Sequence, residues 1–221
     1  PLGLNLLEAK KILNLYKTRK HKKMKFFVGY NRRFLESVMQ LKKLAYKNTS
    51  KLFIDIQDQQ DLGIAASLGH NKEILDNWMY ANSIHTIDFL NFLSKGKPIK
   101  IVSKRVFLKG SHIVTSNILF SNGDLARYIC YWGRPASWSV VLSSDNKLFK
   151  LNPLEKLSIT ENKKIKIYEA VNFDKKFKPG FYYQFVEIDK AMRIKKNYAV
   201  GIFDAIKSVQ LTNDIYENFT K

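Results

Sequence analysis

Leu6, Ala9, Leu13 and Tyr16 recur at the spacing of one helix face, which predicts an amphipathic helix over residues 6–20. Asn5 as N-cap and Glu8 at the third helical position have the pattern of a capping box. Lys25 to Tyr30 is a short apolar run between polar residues and reads as a buried, parallel strand. A helix followed by such a strand is the closing half of a βαβ unit. Phe34, Val38, Leu41 and Leu44-Ala45 predict a second helix at 34–47, and Leu52 to Ile56 begins a strand. Residues 60–77 carry few apolar positions and read as an irregular excursion. Helical spacing returns from Trp78 to Leu93 and is stopped by Gly96-Lys97-Pro98.

From Ile99 the period changes to that of strands. Runs at 99–108, 112–120, 125–132, 137–143, 147–151, 157–160 and 165–170 are separated by turn residues. Asn122-Gly123 between two alternating runs is a strong hairpin signal. Short consecutive strands with tight turns imply an open antiparallel or mixed sheet with helices on one face, an α+β class. The chain returns to helix over 178–218 after a Lys178-Pro179-Gly180 break.

Composition narrows the function classes. The chain has 221 residues, 45% of them hydrophobic and 13% aromatic, enough to build a substantial core and to argue against global disorder. Its apolar runs are too short for a membrane helix, so a membrane partner is not expected. One cysteine, Cys130, excludes a disulfide framework and a cysteine zinc site and suits a reducing, cytoplasmic compartment. The net charge of +19 raises the question of nucleic acid. Most of the basic residues are lysines spread along the whole length, whereas phosphate and base recognition favours the forked guanidinium of arginine. The cluster Arg19-Lys20-His21-Lys22-Lys23 ends a helix, where cations complement the dipole. Specific nucleic-acid binding is therefore the weaker reading. His21, His70 and His112 lack ligand-like partners in sequence, so no metal is expected.

Four segments in register carry a resemblance to a known family. These are Pro1-Leu2, Glu8-Ala9, Val28-Gly29-Tyr30-Asn31-Arg32-Arg33-Phe34 and Ile84-His85-Thr86-Ile87-Asp88-Phe89-Leu90. Phe203-Asp204-Ala205 and Ile215-Tyr216 add a fifth in the closing helix. Together they resemble the Gfo/Idh/MocA family of NAD(P)-dependent sugar and cyclitol oxidoreductases. The resemblance implies that residues 1–31 are the last helix and strand of a Rossmann domain. It also implies that 32–221 form the substrate-binding and oligomerisation domain, with the final helix returning to the first. The Gly-x-Gly-x-x-Gly turn that seats a dinucleotide does not occur in the sequence. On this reading NAD or NADP belongs to a longer parent. The chain alone is expected to bind none and to be inactive. A sugar or nucleotide-sugar substrate and a homo-oligomer through the open sheet complete the expectation.

The same resemblance makes His85 the candidate catalytic residue, because a group near neutral pKa can take the hydroxyl proton as hydride leaves the carbon. A core-facing histidine is the plain alternative. Many family members carry an aspartate one turn earlier, where this chain has Ala81, followed by Asn82. That departure allows a catalytically degenerate interaction module of the same fold as the rival function. Asn31, Arg32 and Arg33 follow the C-terminal end of the buried strand, where open α/β sheets contact ligands, and are candidate substrate-binding residues. Asn82 is a further candidate, and Trp78 and Tyr80 could stack on a sugar ring or pack the core. Asp88, three residues after His85, reads as a residue that orients the helix or the imidazole. Trp132 and Trp138 read as packing for the sheet or its interface.

Overall fold

The computed structural model describes residues 1–18, 25–46, 51–169, 173–193 and 196–219. The basic cluster Arg19–Lys23 and the last residue of the 165–170 run lie outside them.

Helix α1 spans Leu6–Thr18. Asn5 Oδ1 accepts from the Glu8 N–H at 2.9 Å, as a cap should. Glu8 reaches back one residue further than a capping box requires and accepts from the Leu4 N–H at 2.6 Å. The apolar run after it does not form a parallel strand. Phe27 makes one antiparallel bridge to Gly201, and Val28 N–H donates to the Val200 carbonyl at 2.9 Å. Strands exist by pairing, and among the described residues only this segment pairs with the run.

The predicted helix at 34–47 divides in two. A 3₁₀ turn at Asn31–Phe34 precedes α2, Glu36–Ala45, and Leu35 between them is extended. Strand β1 runs from Leu52 to Gln60, well past the expected Ile56. The excursion at 60–77 holds two short helices, α3 (Leu62–Ser67) and α4 (Lys72–Asp76). Each opens on a polar cap, Asp61 on the Ile64 N–H and Asn71 on the Ile74 N–H. Both lack an apolar stripe, which hid them from a periodicity reading. A π-helical turn, Met79–Ser83, then leads into α5, Ile84–Leu93.

Strands β2 (Pro98–Leu108), β3 (Ser111–Phe120), β4 (Leu125–Trp132), β5 (Ser139–Ser144), β6 (Lys147–Leu151), β7 (Lys156–Glu161) and β8 (Lys164–Glu169) complete the sheet. Its order is β2-β3-β4-β1-β5-β6-β7-β8. Every pairing is antiparallel except β1 with β4. The mixed open sheet agrees with the α+β expectation. Gly123, with φ of 86°, turns the β3–β4 hairpin where Asn122-Gly123 predicted it. The remaining helices are α6 (Phe173–Lys176), α7 (Phe181–Met192) and α8 (Ile202–Glu217). The expected helix over 178–218 is thus two.

Alternation sends Leu52, Ile54 and Ile56 of β1 to the inner face with Tyr128, Cys130, Leu142 and Phe149. Helices α2, α5 and α8 close over them with Val38, Leu41, Phe89, Leu90, Leu93, Leu211 and Ile215. Each such side chain contributes about 1.5–3 kcal/mol relative to exposure. A second cluster gathers Leu2, Ala9, Val28, Tyr30, Phe34, Tyr80, Ile84, Ile202, Ala205 and Val209. Helix α8 joins the two, so the N-terminal end of α5 is held between them. The outer face of the sheet carries a cross-strand row of Leu125, Phe53, Leu148 and Ile165, all exposed.

Candidate functional site

The candidate site lies at the N-terminal end of α5. The π turn before it contains one residue more per turn than an α-helix, which offsets the faces on either side. Tyr80 is thereby turned into the second core cluster, where it is 3% exposed and its hydroxyl donates to Asn213 Oδ1 at 3.2 Å. It is no stacking surface. Trp78 and Asn82 remain half-buried and converge on one acceptor. Trp78 Nε1 and Asn82 Nδ2 both donate to Gln60 Oε1, at 2.8 and 2.9 Å.

Gln60 is fixed in turn by Asp58. Both continue the inner-face alternation of β1, and Gln60 Nε2 donates to Asp58 Oδ1 at 2.7 Å. Asp58 is wholly buried. Its other oxygen accepts from Tyr128 at 2.7 Å and bonds Thr86 Oγ1 at 3.0 Å. Burial raises the Asp58 pKa, and the surrounding hydrogen bonds oppose that rise. The period of β1, carried four residues beyond Ile56, was the signal that could have revealed this network.

His85 occupies the first turn of α5. The edge of one ring meets the face of the other between His85 and Tyr30, with centroids 5.8 Å apart and planes at 77°. His85 Nδ1 and the Tyr30 hydroxyl are both buried without a hydrogen-bond partner among the described residues. Burial lowers the His85 pKa to about 3, and the nearby Arg32 guanidinium and the amino group of Pro1 push the same way. Ala81, one turn earlier, offers only a methyl group, so no carboxylate there offsets these effects. The imidazole is therefore neutral at ordinary pH, and its Nδ1 is a buried polar atom without a partner among the described residues.

Arg32 sits over Trp138, with its guanidinium carbon 3.8 Å from the ring centroid. Trp138 is held by its Nε1, which donates to the Gln59 carbonyl at 2.8 Å. Sequence reasoning assigned Trp138 to packing and missed this platform, because the two residues meet only through the sheet. Burial lowers the Arg32 pKa, while Asp58 and Glu155 act against that.

The other candidates are placed elsewhere. Arg33 is 7% exposed and forks onto Asp88, its Nε to Oδ2 and its Nη2 to Oδ1 at 2.6 Å. Ser208 Oγ also donates to Asp88 Oδ1, at 2.5 Å. Arg33 and Asp88 thus bind the 3₁₀ turn, α5 and α8 together, and Arg33 also lines a cavity beside the end of α5. Asn31 Nδ2 donates to the Pro179 carbonyl at 3.1 Å. A side chain on Gly180, whose φ is 79°, would run into the Asn31 carbonyl oxygen. Asn31 therefore clamps the α6–α7 corner. Among the described residues no group of three or more His, Cys, Asp or Glu side chains is placed to hold a metal ion. Nor is any helix there long and apolar enough to cross a membrane.

No family model and no curated protein matches the sequence. Solved structures do match the fold. A dehydrogenase from Chromobacterium violaceum superimposes with a TM-score of 0.79 at 16% identity, over 98% of this chain and 67% of its own. A UDP-N-acetylglucosamine 3-dehydrogenase from Acidithiobacillus ferrooxidans gives 0.75 at 10% identity, over 99% and 68%. An aldose-aldose oxidoreductase from Caulobacter crescentus gives 0.74 at 13% identity, over 98% and 67%. The chain spans about two thirds of the length of these proteins. With an eight-stranded open sheet and nearly complete coverage, the chain has the fold of the C-terminal part of Gfo/Idh/MocA-type oxidoreductases.

Proposed function

We propose that this chain is the substrate-binding part of an NAD(P)-dependent oxidoreductase that acts on a CH–OH group of a sugar, free or nucleotide-linked. The observation that carries the proposal is the meeting of His85, Arg32 and Tyr30 at the start of α5, in a fold whose solved examples include sugar and nucleotide-sugar oxidoreductases. Residues 1–31 then complete a nucleotide-binding domain. Residues 32–221 bind substrate, and the uncovered row of Phe53, Leu125, Leu148 and Ile165 is the oligomer face. The chain has no Gly-x-Gly-x-x-Gly turn, so its own residues offer no cradle for a dinucleotide.

The chemistry open to these residues is proton acceptance. The half-buried imidazole of His85 would receive the substrate hydroxyl proton. Arg32, rigid on Trp138, would bind an oxyanion or a phosphate of the substrate with its free N–H groups. Asn82, fixed on Gln60 by its amide N–H, would offer its carbonyl oxygen to a sugar hydroxyl.

The test is turnover by the full-length protein with NAD⁺ or NADP⁺ and a panel of free and nucleotide-linked sugars. Nicotinamide reduction that falls at least about a hundredfold in His85→Leu is the expected result. Absence of reduction with every sugar would favour a second reading, a catalytically silent interaction module. The low basicity of His85 and the methyl group of Ala81 support that alternative.

A further inference from the structure

The far end of α5 holds a second cluster that the site above does not use. Lys42, on α2, donates from Nζ to the Phe92 carbonyl at 2.8 Å and lies 3.5 Å from the centroid of the Phe92 ring. The rings of Tyr46 and Tyr198 stand 5.0 and 5.3 Å from the same nitrogen. These groups line a cavity of about 960 Å³ between α2, the end of α5, the start of β2, residues 197–199 and α8. Lys95 and Lys97 lie on its exposed rim, Lys95 against the Tyr46 ring at 4.7 Å.

We propose that Lys42 is an amine nucleophile that forms a reversible imine with a small anionic aldehyde held in this cavity. Two features select it among the many lysines of the chain. It is withdrawn from water at the wall of a cavity and is acted on by the cationic Arg33, which lines the same cavity; these are the two environments that free a lysine lone pair. The charged groups around it are Arg33 from the 3₁₀ turn, Asp88 from α5, Lys95 and Lys97 ahead of β2, and Asp204, Lys207 and Asp214 from α8. Burial first and Arg33 second outweigh Asp88 and Asp204 and bring the amine down to about 7. About half the amine is then unprotonated at neutrality, against on the order of one in a thousand for an ordinary lysine.

The step balances without a redox partner. The Nζ lone pair adds to the carbonyl carbon, and the carbonyl oxygen takes up a proton. Nitrogen then passes a proton to that hydroxyl, its lone pair forms the C=N bond as the C–O bond breaks, and water leaves. The protonated imine keeps a positive charge on the Phe92 face, where a ring stabilises a cation. Lys95 and Lys97 would receive the anionic group. His85 is not among the residues that line this cavity, so the inference is independent of the oxidoreductase reading.

Pyridoxal 5′-phosphate, trapped at neutral pH with borohydride and followed by peptide mass mapping, is the probe. Lys42 is expected to label roughly tenfold faster than any other lysine, with a half-maximal rate near pH 7. Lys42→Arg keeps a cation near the Phe92 carbonyl and should lose that label with an unchanged near-UV circular dichroism spectrum. Replacing Lys95 and Lys97 with alanine should slow labelling by pyridoxal phosphate but not by uncharged pyridoxal. Label spread over exposed lysines at similar rates, or unchanged by Lys42→Arg, overturns the proposal. Equal reaction with both aldehydes in the unaltered protein overturns the anionic specificity.

Discussion

Arg33 is buried and forks onto Asp88, whereas Arg32, the residue before it, lies over the Trp138 ring with no carboxylate in ion-pair reach among the described residues. The 3₁₀ turn that carries both rotates about 120° per residue, so the two side chains leave it in different directions. One charge is consumed in joining three elements. The other keeps its N–H groups free beside a histidine whose Nδ1 is also unpaired. The buried charge of Arg33 builds structure because it is matched, whereas Arg32 and the His85 Nδ1 stay unmatched among the described residues.

The largest expected effect is on the matched side. Asp88→Ala leaves the Arg33 guanidinium buried without its counter-charge and should cost about 3–5 kcal/mol in urea unfolding. A loss below about 1 kcal/mol would mean that the pair is not what holds α5 to α8.

The next test is pH, on the unmatched side. The His85 pKa is about 3 when folded against an ordinary 6.5, so between these values the unfolded state takes a proton that the folded state refuses. Stability should therefore fall as pH drops from about 6.5 towards 3. Its slope from this residue is about 1.4 kcal/mol per pH unit. His85→Leu should remove that slope, measured as the difference between the two proteins' unfolding free energies across the window. Parallel curves would show that the ring is solvated.

Ala81→Asp sharpens the comparison by giving His85 the carboxylate it lacks. The imidazole should then titrate about one to three pH units higher by NMR. An unmoved titration would separate position 81 from the ring. Smallest of all, Arg32→Met should change stability by less than about 1 kcal/mol, in contrast to Asp88→Ala, because little beyond the contact with Trp138 is lost.

The sequence made much of this frame legible and hid its details for identifiable reasons. The strand runs from Ile99, the Asn122-Gly123 hairpin and the helix bearing His85 follow from period and turn chemistry alone. Arg32 and Arg33 could not be told apart, because their roles depend on Asp88 and Trp138, far away in the chain. Tyr80 is left open by the sequence between stacking on a sugar and packing the core, because a π turn leaves no periodic signature to decide its face. The run at 25–30 was readable as apolar, but its pairing with residues 200–201 is a non-local fact. Asp58 and Gln60 were within reach, since strict alternation from Leu52 already puts them on the inner face.

The position of β1 also bears on how the chain reaches this structure. Strands β2–β4 form one local meander and β5–β8 another, each closed by short turns. Only β1 joins them, with Phe53 opposite both Leu125 and Ser143. Its pairings close long loops, and long loops slow folding more than they weaken the product. The two meanders can zip early, and the seam between them is the late, rate-setting event. Substitutions in β1 such as Ile54→Val should therefore be felt in the rate of folding, as should changes at the hairpin turns, which are already formed at that step.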